Sequence, residues 1–392
     1  MELTTRQKTT RDTRSGSLHS APMAEHPAPM AEHPAPVTGP PASRRRKARD
    51  GAASRRLVRI LVAVVVALLV LVTLLIGMLV SSGDGNRASS TTTTTAERAT
   101  TGSAPVTTAP PRSDPSTGPS RTIQTPHGTV EVTEVTMQEG IIERQYLLYR
   151  PADGPGADPA ERRMPAVMAL HGLGVDRYDI PATAPWADAV AEDRFVAVFP
   201  QGVLNSWNLG PCCPPASLGG VDDVGFLGRV LDQVRARPDV DPDRVYLTGF
   251  SNGGMMAIEL ACQRSDDIAA IAPVAATNVT GCAPSRPTSM LQLHGDPDDT
   301  VPYDGSPSLS QVLSSEPFPA VPASAAAWAT ASGCAPGPTR VDDGDGVRVD
   351  RWSGCPKGTA VELITYPGNG HGWPTTPVDG LEEILDFFDI DS

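Results

Sequence analysis

The chain has 392 residues, 40 of them prolines, and a formal net charge of −13. Many prolines lie near the N-terminus and around residue 110, so much of the first third is expected to be unpacked, which leaves length for one large domain rather than two. Residues 1–59 carry 12 Lys and Arg against 5 Asp and Glu, whereas the remainder carries 20 against 40, and this acidic main body argues against nucleic-acid binding.

Residues 1–56 predict a disordered cytoplasmic tail, and residues 57–80 a transmembrane signal anchor. The stretch 60–80 is apolar and has no charged residue. At 1.5 Å per residue in a helix, such a stretch spans about 30 Å, the thickness of a bilayer core. Basic residues precede it, so the N-terminus is expected inside and the rest of the chain outside. The alternative is a cleaved signal peptide.

Residues 81–122 are rich in Ser, Thr, Pro and Gly and predict an unfolded linker. Residues 123–392 are expected to form a single catalytic domain. Its pattern predicts strands at 130–137, 145–149, 165–170, 195–199, 245–249, 271–274, 290–294 and 361–366. Helices are expected at 187–191, 223–235, 252–263 and 381–388. This alternation predicts an α/β domain with a mostly parallel sheet and helices on both faces.

All six cysteines follow the apolar stretch: Cys212, Cys213, Cys262, Cys282, Cys334 and Cys355. Their even number predicts disulfides formed in an oxidising compartment. Six buried free thiols are the alternative. No Cys-x-x-Cys spacing occurs, so no zinc site is expected, and no other metal is implied.

The stretch Gly249-Phe-Ser-Asn-Gly253 lies between a predicted strand and a predicted helix. A G-x-S-x-G sequence in that context places the serine on a sharp turn at the carboxyl edge of the sheet, so Ser251 is the predicted nucleophile. His371 lies in a glycine-rich loop after the last strand and is the predicted general base. Spacing leaves three candidates for the acid: Asp296, Asp298 and Asp299.

Backbone N–H groups must bind the oxyanion. The expected donors are Asn252, directly after the nucleophile, and Leu173, in the loop that follows an early strand. His171 is expected to hold that loop rather than to act in chemistry. Asp222 and Asp223 are expected to cap a helix. Trp207 and Trp373 are predicted to line the substrate cleft.

Several motifs in this order resemble the esterase/polyhydroxybutyrate depolymerase family, which includes feruloyl esterase-like secreted proteins. The matching stretches are LHGLG (170–174), FPQG (199–202), NSWN (205–208), VDDVGFL (221–227), TGFSNGGMM (248–256), LHGDPDDTVPYDG (293–305) and GNGHGWP (368–374). The resemblance implies an α/β-hydrolase fold and selects Asp298 as the acid. It also suggests the pairs Cys334–Cys355 and Cys262–Cys282. Cys212 and Cys213 then form either a vicinal disulfide or two thiols.

The predicted function is an extracytoplasmic serine esterase that needs no cofactor. The resemblance implies hydroxyalkanoate oligomers or polyesters, or feruloyl-type esters, as substrates. A tethered enzyme suits soluble oligomers or small esters better than a solid polymer. Two alternatives are open: a serine peptidase on the same fold, and a non-catalytic binding module at the cell surface. Residues 57–80 would attach the protein to the membrane.

Overall fold

A computed structural model describes residues 115–153, 163–308, 314–341, 346–356 and 358–390. Within them one sheet contains twelve strands. The strands are β1 Ser116–Thr117, β2 Arg121–Thr125, β3 Gly128–Glu139, β4 Ile142–Pro151, β5 Met164–Leu170, β6 Val196–Pro200, β7 Val240–Phe250, β8 Ala270–Val274, β9 Ser289–Gly295, β10 Pro338–Val341, β11 Arg348–Trp352 and β12 Val361–Tyr366. The helices are α1 Asp179–Thr183, α2 Trp186–Asp193, α3 Asp223–Arg235, α4 Asn252–Gln263, α5 Val321–Ala331 and α6 Gly380–Phe387.

The sheet order is β1-β3-β4-β6-β5-β7-β8-β9-β12-β11-β10, and β2 pairs with β3. The six strands from β6 to β12 in this order are parallel to one another. Antiparallel strands extend the sheet at both ends. This mixed, mostly parallel sheet is the predicted α/β-hydrolase fold.

Each face of the sheet is buried by its own set of helices. One apolar cluster contains Phe226 of α3, Met256 of α4 and Trp328 of α5. The other contains Trp186 of α2 and Ile384 of α6. Successive side chains of a strand point to opposite faces, so β5, buried along its whole length, contributes to both clusters.

Every strand and helix expected from the sequence is present, and the bounds of 223–235, 252–263 and 361–366 agree to the residue. The pattern missed α1, α5, β10 and β11. Helix α5 reads VPASAAAWATA and has no charged face to mark it as amphipathic. Strand β10 lies at the sheet edge and is mostly exposed, so it lacks the apolar alternation of a half-buried strand.

Two short strands that the pattern also missed lie at or before residue 123, the expected start of the catalytic domain. Strands β1 and β2 precede or span that residue and pair with β3. Their side chains are mostly exposed and polar, so composition did not separate them from the linker. The predicted tail 1–56, the predicted anchor 57–80 and linker residues 81–114 lie outside the described residues. No helix within the described residues has the length and apolar character needed to cross a membrane.

Three disulfides pair all six cysteines: Cys212–Cys213, Cys262–Cys282 and Cys334–Cys355. Both pairs suggested by the family resemblance are therefore confirmed. The adjacent cysteines form a vicinal disulfide rather than two thiols.

Replacing both Cys334 and Cys355 with serine is expected to lower the stability of the domain. Their disulfide joins residues 21 positions apart, and closing a loop of that length stabilises the folded state by about 3 kcal/mol in the chain-entropy model. Urea unfolding under oxidising conditions measures the effect, with Ala335→Ser at the exposed neighbouring position as control. An unchanged midpoint and slope in the double variant would contradict the expectation.

Candidate active site

Ser251 lies on the turn between β7 and α4. Its backbone angles are φ 54° and ψ −121°, a conformation that is strained for any residue with a side chain. Two hydrogen bonds fix the turn: the Ser251 N–H donates to the Val274 carbonyl at 2.8 Å, and the Ser251 carbonyl accepts from the Met255 N–H at 3.0 Å. The turn therefore presents the hydroxyl at the carboxyl edge of the parallel strands.

The glycines around Ser251 allow its strand and helix to approach each other closely. A Cβ atom on Gly253 would lie 2.2 Å from the Leu170 carbonyl oxygen, and one on Gly249 would lie 2.5 Å from the Gly253 oxygen. Both clashes are with backbone, which cannot rotate away. The G-x-S-x-G spacing is thus a packing requirement of this turn.

His371 follows β12 and reaches the serine hydroxyl. Its Nε2 lies 2.9 Å from Ser251 Oγ. The ring is tilted against Phe250, with centroids 5.0 Å apart, and its side chain is 17% exposed. It is therefore close to both the serine and solvent.

Asp298 is the aspartate that meets His371, with Oδ2 2.8 Å from Nδ1. Its other oxygen accepts hydrogen bonds from the backbone N–H groups of Thr300 and Val301. Burial alone would raise the pKa of Asp298. Hydrogen bonds from His294, His371 and Val301, together with the charge on His371, outweigh burial and hold this pKa well below its usual range. The carboxyl group is therefore ionised at neutral pH.

The other two candidate aspartates have different surroundings. Asp296 forms an ion pair with Arg348 and accepts a hydrogen bond from the Gly368 N–H, so it fixes the start of the loop that carries His371. Asp299 is exposed and accepts only from the neighbouring Thr300 hydroxyl among the described contacts. Of the three, only Asp298 contacts His371 within the described residues.

The two predicted oxyanion donors belong to different parts of the chain, and only Asn252 directly follows Ser251. The Asn252 N–H belongs to the first turn of α4, where backbone N–H groups have no acceptor within the helix. Leu173 is half-buried in the loop after β5. That loop is anchored by a bond from the Gly174 N–H to the Asn205 carbonyl at 2.8 Å.

His171 holds the same loop, as expected. Its Nε2 accepts the Gly202 N–H at 2.9 Å, and its Nδ1 lies 2.8 Å from the Gly172 carbonyl. Burial lowers the pKa of His171 to about 4. A neutral ring with the proton on Nδ1 satisfies both contacts.

The prediction that Trp207 lines the cleft is wrong, because its side chain is fully buried. Its indole N–H donates to the His171 carbonyl at 2.9 Å. Its backbone N–H and carbonyl are both bound by the side-chain amide of Asn252. Trp207 therefore does not line the cleft but anchors the loop that carries Leu173, through its hydrogen bond to the His171 carbonyl. In the sequence, Trp207 lies between polar residues, and nothing there distinguishes a tryptophan that lines a cleft from one that is buried.

Trp373 is half-buried, two residues beyond His371. It packs edge-on against Trp186, with ring centroids 6.4 Å apart. Its position beside the base leaves the predicted contact with substrate open as a proposal.

The sequence did not predict two side-chain contacts, one made by Asp223 and one made by His294. Asp222 caps α3 by accepting from the Gly225 N–H, as expected, but Asp223 instead forms a buried ion pair with Arg144. His294, the last residue of the strand expected at 290–294, lies 3.2 Å from Asp298. The four-residue spacing between His294 and Asp298 is the one sequence feature that hints at this contact. The contact itself depends on the conformation of the loop after β9.

Comparison with known proteins finds similarity to esterases. A model of the Phospholipase/Carboxylesterase family matches residues 225–316. Feruloyl esterase B of Piromyces equi is 31% identical over 55% of this chain and 41% of its own length. Feruloyl esterase C of Emericella nidulans is 29% identical over 59% of this chain and 77% of its own length. An acetyl xylan esterase structure from Aspergillus awamori aligns with a TM-score of 0.45 and 15% identity over 63% of this chain and 94% of that one.

The chain spans less than half the length of feruloyl esterase B. The family model and the two feruloyl esterases therefore support a likeness to esterases.

Gly253→Ala is expected to destabilise the domain and to abolish the reactivity of Ser251, because the new Cβ would overlap backbone oxygens of Leu170 and His171. Overpacking of this kind typically costs about 1–3 kcal/mol, and more where nothing can move. Thermal unfolding and covalent labelling of the serine measure the two effects. Gly219→Ala is the matched control, since its Cβ would meet nothing closer than 3.5 Å. Equal behaviour of the two variants would contradict the packing argument.

Proposed function

We propose that this protein is an extracytoplasmic serine hydrolase that cleaves carboxylic esters through an acyl-enzyme. One observation carries the proposal: Ser251 Oγ, His371 and Asp298 form a continuous series of contacts at 2.9 and 2.8 Å. A hydroxyl, an imidazole and an ionised carboxylate in this order are the groups that nucleophilic acyl transfer requires.

In the acylation step, Ser251 Oγ attacks the ester carbonyl carbon while His371 Nε2 takes the hydroxyl proton. Asp298 holds the Nδ1–H of His371 and stabilises the imidazolium that forms. The N–H groups of Leu173 and Asn252 would bind the carbonyl oxygen as it becomes negative. His371 then donates its proton to the leaving alkoxide, which departs as an alcohol.

In the deacylation step, water replaces the alcohol. His371 takes a proton from the water as the water oxygen attacks the acyl carbon. The tetrahedral intermediate then collapses: the bond to Ser251 Oγ breaks, His371 returns the proton to that oxygen, and the acid is released. The same two N–H donors serve both steps, so no additional group is needed.

For the substrate we propose small or oligomeric esters, of the feruloyl or hydroxyalkanoate class. The names of the curated relatives support the feruloyl class. An exposed apolar residue also suits an ester with an apolar acyl group: Leu204 is 73% exposed and precedes Asn205, which binds the loop of Leu173. A protein tethered by residues 57–80 is poorly suited to a solid polymer because it cannot diffuse over the surface.

A reactive Ser251 predicts covalent labelling by a fluorophosphonate and hydrolysis of a short p-nitrophenyl ester. We expect both the labelling and the hydrolysis to be seen with the full-length protein in isolated membranes. Both should be lost in Ser251→Ala. Ser353→Ala, at an exposed position, is the matched control. Asp298→Asn is expected to reduce kcat by about 10⁴-fold, the effect of removing the orienting carboxylate in a comparable triad.

Absence of labelling in the folded, oxidised protein would instead favour a binding module. Labelling together with faster cleavage of amides than of esters would favour a peptidase. Wild-type activity of Asp298→Asn would remove that residue from the mechanism.

We further propose that residues 57–80 anchor the protein with the catalytic domain outside the cytoplasm. Three disulfides support an oxidising compartment. Protease added to intact cells is expected to remove the labelled domain, while a cytoplasmic marker protein survives. Protection of the domain until the cells are lysed would contradict this topology.

A further inference from the structure

Two histidine rings meet the same carboxylate oxygen in this site. His371 Nδ1 lies 2.8 Å from Asp298 Oδ2, and His294 Nε2 lies 3.2 Å from that same oxygen. His294 is the second-last residue of β9 and is 1% exposed. The mechanism above uses only His371, so the second imidazole has no part in it.

The contacts of His294 show which of its two ring nitrogens carries a hydrogen. Its Nε2 lies 2.8 Å from the Val301 carbonyl oxygen. A carbonyl oxygen can only accept, so Nε2 carries the hydrogen and shares it between Val301 and Asp298. Its Nδ1 is buried and has no hydrogen-bond partner among the described residues. The contact between His294 and Asp298 is therefore made through the Nε2 hydrogen alone.

The Asp298 carboxylate therefore receives four N–H groups. Two come from the backbone of Thr300 and Val301 and bind Oδ1. The other two come from His294 and His371 and bind Oδ2. Rotation of the carboxylate would break all four contacts. The N–H of His294 also partly neutralises the negative charge on Asp298 Oδ2, the oxygen that accepts the hydrogen bond from His371.

We infer that His294 is a positioning residue: it fixes the Asp298 carboxylate and limits how strongly that carboxylate holds a proton on His371. The inference rests on the proposed function, because it assigns His371 the role of base. A base that is too strongly stabilised in its charged form would be protonated, and idle, over more of the working pH range.

The other ionisable groups near His294 are retained when His294 is replaced. Strand β8 and helix α5 pack against β9 and carry no ionisable side chain. The charged or titratable groups on the surrounding elements include Asp296, Asp299, Tyr303, Asp304, Arg348, Asp350, Arg351, Glu362, Tyr366, Asp379, Glu382, Glu383 and Asp386. All are present in every variant below, so a change in the pH profile reports the loss of the His294 N–H.

His294→Phe keeps a flat ring beside Tyr303 but removes the N–H. We expect kcat/KM for a p-nitrophenyl ester to fall about 10-fold, a part of the usual contribution of a general base. We also expect the acid limb of the pH profile to move up by about half a pH unit, because the freed Oδ2 stabilises protonated His371. His294→Gln can place an N–H near the position of Nε2 and is expected to restore most of the rate and the wild-type acid limb.

His127→Gln is the matched control, since His127 is an exposed histidine paired with Glu192. A wild-type rate and pH profile in His294→Phe would overturn the inference. A lower rate with an unmoved acid limb, equal in the Phe and Gln variants, would also overturn it, because that pattern indicates a structural role alone.

A second measurement does not depend on turnover. NMR titration of the His371 ring in full-length Ser251→Ala, with and without His294→Phe, reads the pKa of His371 directly. A higher pKa in the double variant supports the role of His294 even if no ester is hydrolysed. An unchanged pKa overturns it even if the wild type is an active esterase.

Discussion

The negative charge of Asp298 lies on a side chain that is shielded from water, where an unpaired carboxylate would take up a proton instead of staying ionised. It remains charged because four N–H groups surround it. Those donors come from β9, from the loop after it and from the loop after β12. The ionised state therefore requires β9 and β12 to be neighbours, as their parallel pairing makes them, and the orientation of His371 follows from that pairing.

Ser251 depends on a different constraint, which is steric. The turn between β7 and α4 brings backbone atoms so close that Gly249 and Gly253 have no space for a side chain. The strained angles of Ser251 persist because the surrounding hydrogen bonds leave no alternative. Close packing positions the nucleophile, whereas hydrogen bonding positions the base and acid.

These two constraints explain how much the sequence predicted. Buried parallel strands give apolar runs that are easy to recognise, and the glycines of the turn are fixed in spacing by local geometry. Ser251 and His371 could be selected from such signals. The choice among Asp296, Asp298 and Asp299 came from the family resemblance, because the path of the loop after β9 decides it and spacing alone does not encode that path. Trp207 was misassigned for the same reason, since its burial depends on Asn252 and His171, both distant in sequence.

The segment from Gln201 to Asp222 illustrates how much of the site depends on backbone outside the regular strands and helices. It contains one short 3₁₀ turn and is otherwise irregular. Arg144, buried against Phe226, binds both the Gln201 carbonyl and Asp223, and Asp223 accepts the Asn208 N–H. Removing one partner of such a buried pair typically costs about 3–5 kcal/mol because the other charge is left uncompensated. This ion pair and the amide of Asn252 therefore hold an irregular segment against the loop of Leu173, and the geometry expected to bind an oxyanion depends on polar contacts between residues far apart in the chain.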